Sequence, residues 1–318
     1  MHVHPTILCP VDFSEASAGA LRYAVAIASH FETRLIVLTV EDPLLTEAMD
    51  LGTGVLWSPE DCRQELTRFA AKAVGGDPGA KPPFEYEVAV GKPAGEILRV
   101  ARERSCGLIV MSSHGVTGAR KLFFGSTTER VLRETGSAVL VTPPDAPAKV
   151  RLEDARRIVG RILVPVDLSV HSIDQAQLAR TIAEVLSVPL IFAHVIEPVR
   201  TRLAARLHLT GIQADRRAAA EDRMRELVAT LPRRLNPETL IAYGDPAEEL
   251  AKIADDRRAG LIVMGLHGSP VFGPRMGSVT YRLLCLTHTP VLAVPAHASD
   301  GATSGDSPSA ATETAHTS

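Results

Sequence analysis

The chain alternates short, almost wholly apolar runs with longer stretches whose apolar residues recur at helical spacing. "TILCPVD", 6–12, opens as an apolar run. "SEASAGALRYAVAIASHF", 14–31, follows and places Leu21, Ala24, Val25 and Ala28 on one helical face. It starts at Ser14, a residue type that caps helices by accepting from their first N–H groups. "RLIVLTV" is a second apolar run, and "PEDCRQELTRFAAKAV" puts Leu66, Phe69, Ala70 and Ala73 on a face. Then come strand "FEYEVAV", helix "PAGEILRVARER", strand "GLIVMS", helix "STTERVLRET" and strand "AVLVT". The runs at 35–40 and 107–111 are apolar without alternation, as strands covered on both faces are. Strands alternating with helices predict an open, doubly wound parallel sheet of the α/β class, with helices on both faces. Ligands of such sheets sit beyond the carboxyl ends of the strands, where strand order reverses. The ends of the first and fourth strands are "PVD" and "MSSHG".

The whole pattern occurs twice. "ILCPVDFSEAS" at 7–17 returns as "ILVPVDLSVHS" at 162–172, and "GLIVMSSHG" at 107–115 as "GLIVMGLHG" at 260–268. The G-x-P-A-x-E-x-L elements of "VAVGKPAGEIL" recur in "LIAYGDPAEEL", and "AVLVTP" recurs as "PVLAVP". The copies lie 152–155 residues apart. This predicts two tandem units of one fold. We place them at 1–143 and 160–296, with a Pro- and charge-rich linker at 144–159. Residues 297–318 are mostly Ser, Thr, Ala, Gly and Asp, and are expected to be disordered for want of anything to bury.

At 318 residues and 45% apolar content there is enough chain for about two ordinary domains. The net charge of −3 argues against nucleic acid or an anionic membrane as partner. No stretch approaches the ~20 apolar residues of a membrane span. Nor does "MHVHPTILCPVD" read as a signal peptide, since no basic region precedes its apolar run. Cys9, Cys62, Cys106 and Cys285 form no CxxC pair, so neither a disulfide frame nor a zinc site is indicated. A cytoplasmic location is the expectation.

"MSSHGVTGARKLFFGST", 111–127, holds the candidate chemistry. Its glycines let backbone approach a phosphate, the helix after it presents N–H groups, and Ser126 and Thr127 add hydroxyl donors. It is neither a Walker A loop nor G-x-G-x-x-G. A second reading stands beside the phosphate cradle: Ser126 and Glu129 have capping-box spacing, and Ser126 would then only cap the helix. Asp12, and Asp167 in the second copy, would bind a ribose hydroxyl or a metal-bound phosphate, or would hold the turn before the helix. His114 and His267 fit a loop-shaping hydrogen bond better than a ligand contact. His2 and His4 lack further metal ligands at a useful spacing. Trp57 fits packing in a long connection. Neither a G-x-S-x-G elbow nor H-E-x-x-H is present.

Taken together, the "PVDFS" opening, the G-x-P-A-x-E centre and the "IVMG-x-HG … GS … PVL" ending resemble the universal stress protein family in its tandem form. The resemblance implies a five-stranded parallel sheet in the order 3-2-1-4-5 in each copy. Some members bind ATP through G-x-x-G, nine residues, then G-[ST]; others have lost the pattern and bind no nucleotide. In the first copy Ser112 stands at the initial glycine, while Gly115, Gly125 and Ser126 match. In the second Gly265 and Gly268 match, but eight residues, Pro274 among them, precede Gly277 and Ser278. Adenine and ribose contacts would fall on Pro10, Asp12, Val40 and Met111, and on Pro165, Asp167, Val195 and Met264. The resemblance thus implies a regulator that binds ATP, with or without Mg²⁺. We expect the first copy to be the better site, because the second loop is one residue short and Pro274 removes a donor, whereas Ser112 is strained only if its φ is positive. Hydrolysis would be slow at most, for want of a general base or arginine clamp. The alternative is a nucleotide-free interaction scaffold with relic loops. The resemblance also implies a pseudo-dimer of the two units through their last strands, and admits association of two chains.

Overall fold

The computed structural model describes residues 6–43, 58–75, 84–113, 125–145, 159–169, 171–198, 210–266 and 276–295. The first half runs β1 (Thr6–Pro10), α1 (Glu15–His30), β2 (Leu35–Glu41), α2 (Pro59–Val74), β3 (Phe84–Val90), α3 (Pro93–Glu103), β4 (Cys106–Ser112), α4 (Ser126–Glu134) and β5 (Ala138–Thr142). The second half repeats it: β6 (Ile162–Pro165), α5 (His171–Leu186), β7 (Leu190–Ile196), α6 (Thr210–Ala229), β8 (Glu238–Tyr243), α7 (Pro246–Asp256), β9 (Leu261–Gly265), α8 (Ser278–Leu286) and β10 (Val291–Val294).

Within each half the strands are parallel, and their order is β3-β2-β1-β4-β5 in the first and β8-β7-β6-β9-β10 in the second. The two sheets are not separate. β5 and β10 pair antiparallel, Val139 opposite Ala293, Leu140 opposite Leu292 and Val141 opposite Val291, making one ten-stranded sheet. Each strand would otherwise leave an apolar edge with unpaired backbone groups, and pairing removes both edges at once.

Apolar residues on opposite faces of the sheet feed two helical layers, and each layer continues across the seam. One holds Leu21, Ala24 and Leu66 of the first half with Ala176, Ala179 and Met224 of the second. The other holds Ile97, Leu98 and Leu132 with Leu250, Leu283 and Leu284. The helical faces expected at Leu21, Ala24 and Ala28 and at Leu66 and Ala70 are buried; Val25, Phe69 and Ala73 are partly so. Ser14 caps α1 by accepting from the Ser17 N–H.

The repeated G-x-P-A-x-E element has a steric origin. Gly91 and Gly244 have φ of 152° and 147°, and their N–H groups donate to the last carbonyls of β2 and β7, those of Glu41 and Ile196. A Cβ would stand 3.0 Å from Glu96 Cγ at the first and 2.8 Å from Glu249 Cγ at the second. Glycine is required there on both counts, and the glutamate packs over the bare Cα.

None of the four cysteines is in a disulfide. Among the described residues no helix is long and apolar enough to cross a membrane.

Candidate functional site

The chain leaves β1 outward to β2 and β3, then crosses back to β4 and β5, so strand order reverses between β1 and β4. The β1–β4 ladder is short and irregular, with a register shift between Thr6 and Ile7. A cleft of about 350 Å³ opens there, at the carboxyl ends. Pro10, Asp12, Val40, Met111, Ser112, Gly125, Ser126 and Thr127 all line it. β6 and β9 share only two paired positions, and a cleft of about 460 Å³ opens beyond them. Pro165, Asp167, Val195, Met264, Gly265, Gly277 and Ser278 line that one. Gly115 and Gly268 lie outside the described residues, as do His2, His4, Trp57, His114, His267, Pro274, most of the linker and the tail. Because β5 and β10 are antiparallel, the carboxyl ends of the two halves point in opposite directions, and so the clefts open at opposite edges of the sheet.

The two loops close at the base in the same way. Gly125 donates to the Ser113 carbonyl (3.0 Å), and Gly277 to that of Leu266 (3.0 Å). The hydroxyls of Thr128 and Thr280 then tie each helix to the end of its strand, at the Ser112 carbonyl (3.0 Å) and the Gly265 carbonyl (3.2 Å). These bonds bear on the shorter second loop and on Ser112. The residue missing from the second loop does not displace the start of α8, since Gly125 and Gly277 have nearly the same φ and ψ, −59° and 129° against −61° and 146°. Ser112 carries no backbone strain either. It is an extended strand residue paired with Thr142 and is not among the positive-φ positions.

The capping-box reading of Ser126 does not hold. Gly125, not Ser126, is the N-cap of α4, and no side chain caps it; Gly277 does the same for α8. Glu129 instead pairs with Arg133 at 2.7 Å, one turn on. By contrast Ser14, Ser58 and Asp245 accept from the first N–H groups of α1, α2 and α7. The first N–H groups of α4 and α8 have no partner within their helices and face the clefts, where the helix dipole favours an anion.

Asp12 and Asp167 do hold their turns. Asp12 Oδ1 accepts from the Ser14 N–H (3.2 Å) and hydroxyl (2.5 Å); Asp167 Oδ1 accepts from the Ser169 N–H and the Ser172 hydroxyl, both at 2.9 Å. These bonds secure Phe13 and Leu168, which sit in the left-handed region at φ 62° and 59°. Partial withdrawal from water works against the charge on Asp167, but the hydrogen bonds from Ser169 and Ser172 outweigh it and hold the carboxyl below its ordinary range. Turn and ligand roles are compatible, because a carboxylate has two oxygens and about four lone-pair sites.

A sequence model of the Universal stress protein family matches residues 4–143 and 159–295. The chain belongs to the universal stress protein family. The universal stress protein YxiE of Bacillus subtilis (strain 168) is 30% identical over 145 residues, 42% of this chain and 96% of its own length. Universal stress protein MJ0577 of Methanocaldococcus jannaschii is 28% identical over 153 residues, 44% of this chain and 94% of its own. A universal stress protein from Archaeoglobus fulgidus has the same fold over both halves, at a TM-score of 0.56, 20% identity and coverage of 92% of this chain and 96% of that one. A functionally unknown protein, PA1789 of Pseudomonas aeruginosa PAO1, is similar over 92% of each chain at a TM-score of 0.59 and 18% identity.

Two residues of this universal stress protein's second cleft escaped the sequence reading. Gln175 Nε2 donates to the Pro165 carbonyl (2.7 Å) and the Val263 carbonyl (2.8 Å), bridging β6 and β9 where their ladder has ended. His194 Nδ1 stands 2.9 Å from the Val166 carbonyl. A carbonyl only accepts, so Nδ1 carries the hydrogen. Both line the cleft. Their counterparts in the first copy are Ala20 and Thr39, so comparing the repeats position by position was the signal available.

Proposed function

We propose that this universal stress protein is a cytoplasmic, stress-linked regulator that binds an adenine nucleotide, ATP with or without Mg²⁺, in the cleft of its first half. The observation that carries the reading is the glycine cap of α4. It leaves N–H groups and the hydroxyls of Ser126 and Thr127 at the mouth of a cleft whose wall is Pro10, Val40 and Met111. In this reading the apolar wall takes the base, Asp12 takes the ribose, and the start of α4, with Gly115, takes the phosphates. Residues 1–143 and 160–296 act as two units on a linker at 144–159. Hydrolysis is slow or absent in this reading, since among the described residues lining the first cleft no side chain is a histidine or an arginine.

Calorimetric titration of the full chain with ATP and Mg²⁺ tests this, together with Gly125→Val and Gly277→Val. Position 125 has an ordinary φ, so valine obstructs the cleft without straining the backbone. Gly125→Val should weaken ATP at least tenfold and Gly277→Val should change it little. No binding by the unaltered chain would leave the nucleotide-free scaffold as the correct reading.

A further inference from the structure

The two clefts share a backbone but differ in their side chains, and the differences share one chemical sense. Two hydroxyls on the first cleft are absent from the second: Ser112 is replaced by Gly265, and Thr127 by Val279. Three small or neutral positions gain larger polar side chains. Gly19 is replaced by Asp174, Ala20 by Gln175 and Thr39 by His194, and all three replacements line the second cleft. Glu197 lines it too; Asp42 holds that place in the first half but does not line the first cleft. Asp12 is the one carboxylate among the described residues lining the first cleft, whereas the second has Asp167, Asp174 and Glu197.

Several side-chain donors of the second cleft are also committed elsewhere, while Ser278 and the first N–H groups of α8 still face it. Gln175 spends its Nε2 hydrogens on two carbonyls, Ser172 donates to Asp167, and Thr280 donates to the Gly265 carbonyl. The Val166 carbonyl selects the Nδ1–H tautomer of His194, in which Nε2 is an acceptor. Gln175 is left with its Oε1, again an acceptor. Such a wall suits a ligand that brings donors of its own, and its carboxylates work against the anion that the start of α8 would otherwise favour. A triphosphate meets three carboxylates and fewer hydroxyls than in the first cleft, and like charges disfavour one another.

We infer that the second cleft is a site for an uncharged nucleoside, adenosine in chemical type, which brings ribose hydroxyls and an exocyclic amine as donors, and that it discriminates against the phosphorylated form. The chain then carries two unlike sites, one for a nucleotide and one for its dephosphorylated counterpart. The inference rests on the reading of these clefts as adenine sites.

The test is calorimetry on the full chain with adenosine and with ATP as separate probes. Gly125→Val protein, with its first cleft obstructed, should bind adenosine at least tenfold more tightly than ATP. Gly277→Val should lose the adenosine site and keep ATP. Asp174→Ala, on the exposed rim, should raise the ATP affinity of the Gly125→Val protein severalfold, and His194→Leu should lower its adenosine affinity. Equal affinity of the Gly125→Val protein for the two probes, or no adenosine binding by it, overturns the inference. Absence of ATP binding in the Gly277→Val protein overturns the nucleotide reading of the first cleft instead, while the adenosine arm still reads the second.

Discussion

At the scale of single residues, the motif positions divide into those that shape backbone and those that face the clefts. Gly244 belongs to the first kind. An alanine there must adopt φ near 147° and put its Cβ 2.8 Å from Glu249 Cγ. A residue held in a sparsely populated region costs about 1–3 kcal/mol, so Gly244→Ala should lower unfolding free energy by about that much in urea titration. Asp167 does both jobs. Its folded pKa is depressed below the ordinary 3.8, so the stability it contributes is present above that value and is lost as pH falls through the folded one. Asp167→Asn should therefore be less stable than the unaltered chain at neutral pH, by roughly 0.5–1 kcal/mol given screening at an exposed group. The gap should close in acid, below pH 3.8, in chemical denaturation run across pH. The repeated Asp was legible as turn or ligand from the sequence. The turn role needed coordinates, because it consists of hydrogen bonds to Ser14 on one side and to Ser169 and Ser172 on the other.

At the scale of elements, the apolar runs and helical faces found every strand and helix that the first half shows among the described residues, since burial on a sheet imposes those periods. Helix ends were harder to read. α2 ends on Gly75 in the left-handed region, the expected stop signal. Just beyond α1, α3, α5 and α7 the left-handed residue is Glu32, Ser105, Ser187 or Arg258, none of which announces a stop. The start of α4 at Ser126 was read correctly, but its cap was not: S-x-x-E is a capping pattern, yet the loop closure at Ser113 places the cap one residue earlier, on Gly125. The order of strands within each half came from family resemblance, because periodicity carries no information about which strands are neighbours. Gln175 is an element-scale device that the pattern concealed, being one polar residue on an otherwise ordinary helix. Gln175→Ala restores the residue of the first half and leaves the Pro165 and Val263 carbonyls without their donor. An unsatisfied buried acceptor costs about 1–3 kcal/mol, and the loss should appear as a lower urea midpoint at unchanged slope.

At the scale of the whole molecule, the seam decides how the halves live together. Val139, Val141, Val291 and Ala293 are almost wholly buried there, and both core layers run through from one half to the other. Burying an aliphatic side chain contributes about 1.5–3 kcal/mol, so exposing this strip together with an open strand edge is strongly unfavourable. A first half produced by itself, residues 1–145, would retain β1 to β5 and both of its helical layers while uncovering β5. The pairing of β5 with β10 is antiparallel and nearly symmetric, with Leu140 opposite Leu292 at its centre. A second copy of β5 offers Leu140 opposite Leu140 with valines on either side, the same chemistry in the same register. The isolated first half should therefore form a two-fold dimer through β5, with twice the mass of the half-chain in sedimentation equilibrium. Adding the separately produced second half should convert it to a one-to-one complex. Val139→Lys, which places a charge within the seam, should leave the half monomeric. A monomeric unaltered half, with its helical circular dichroism intact, would show that the seam depends on the linker rather than on its own buried surface.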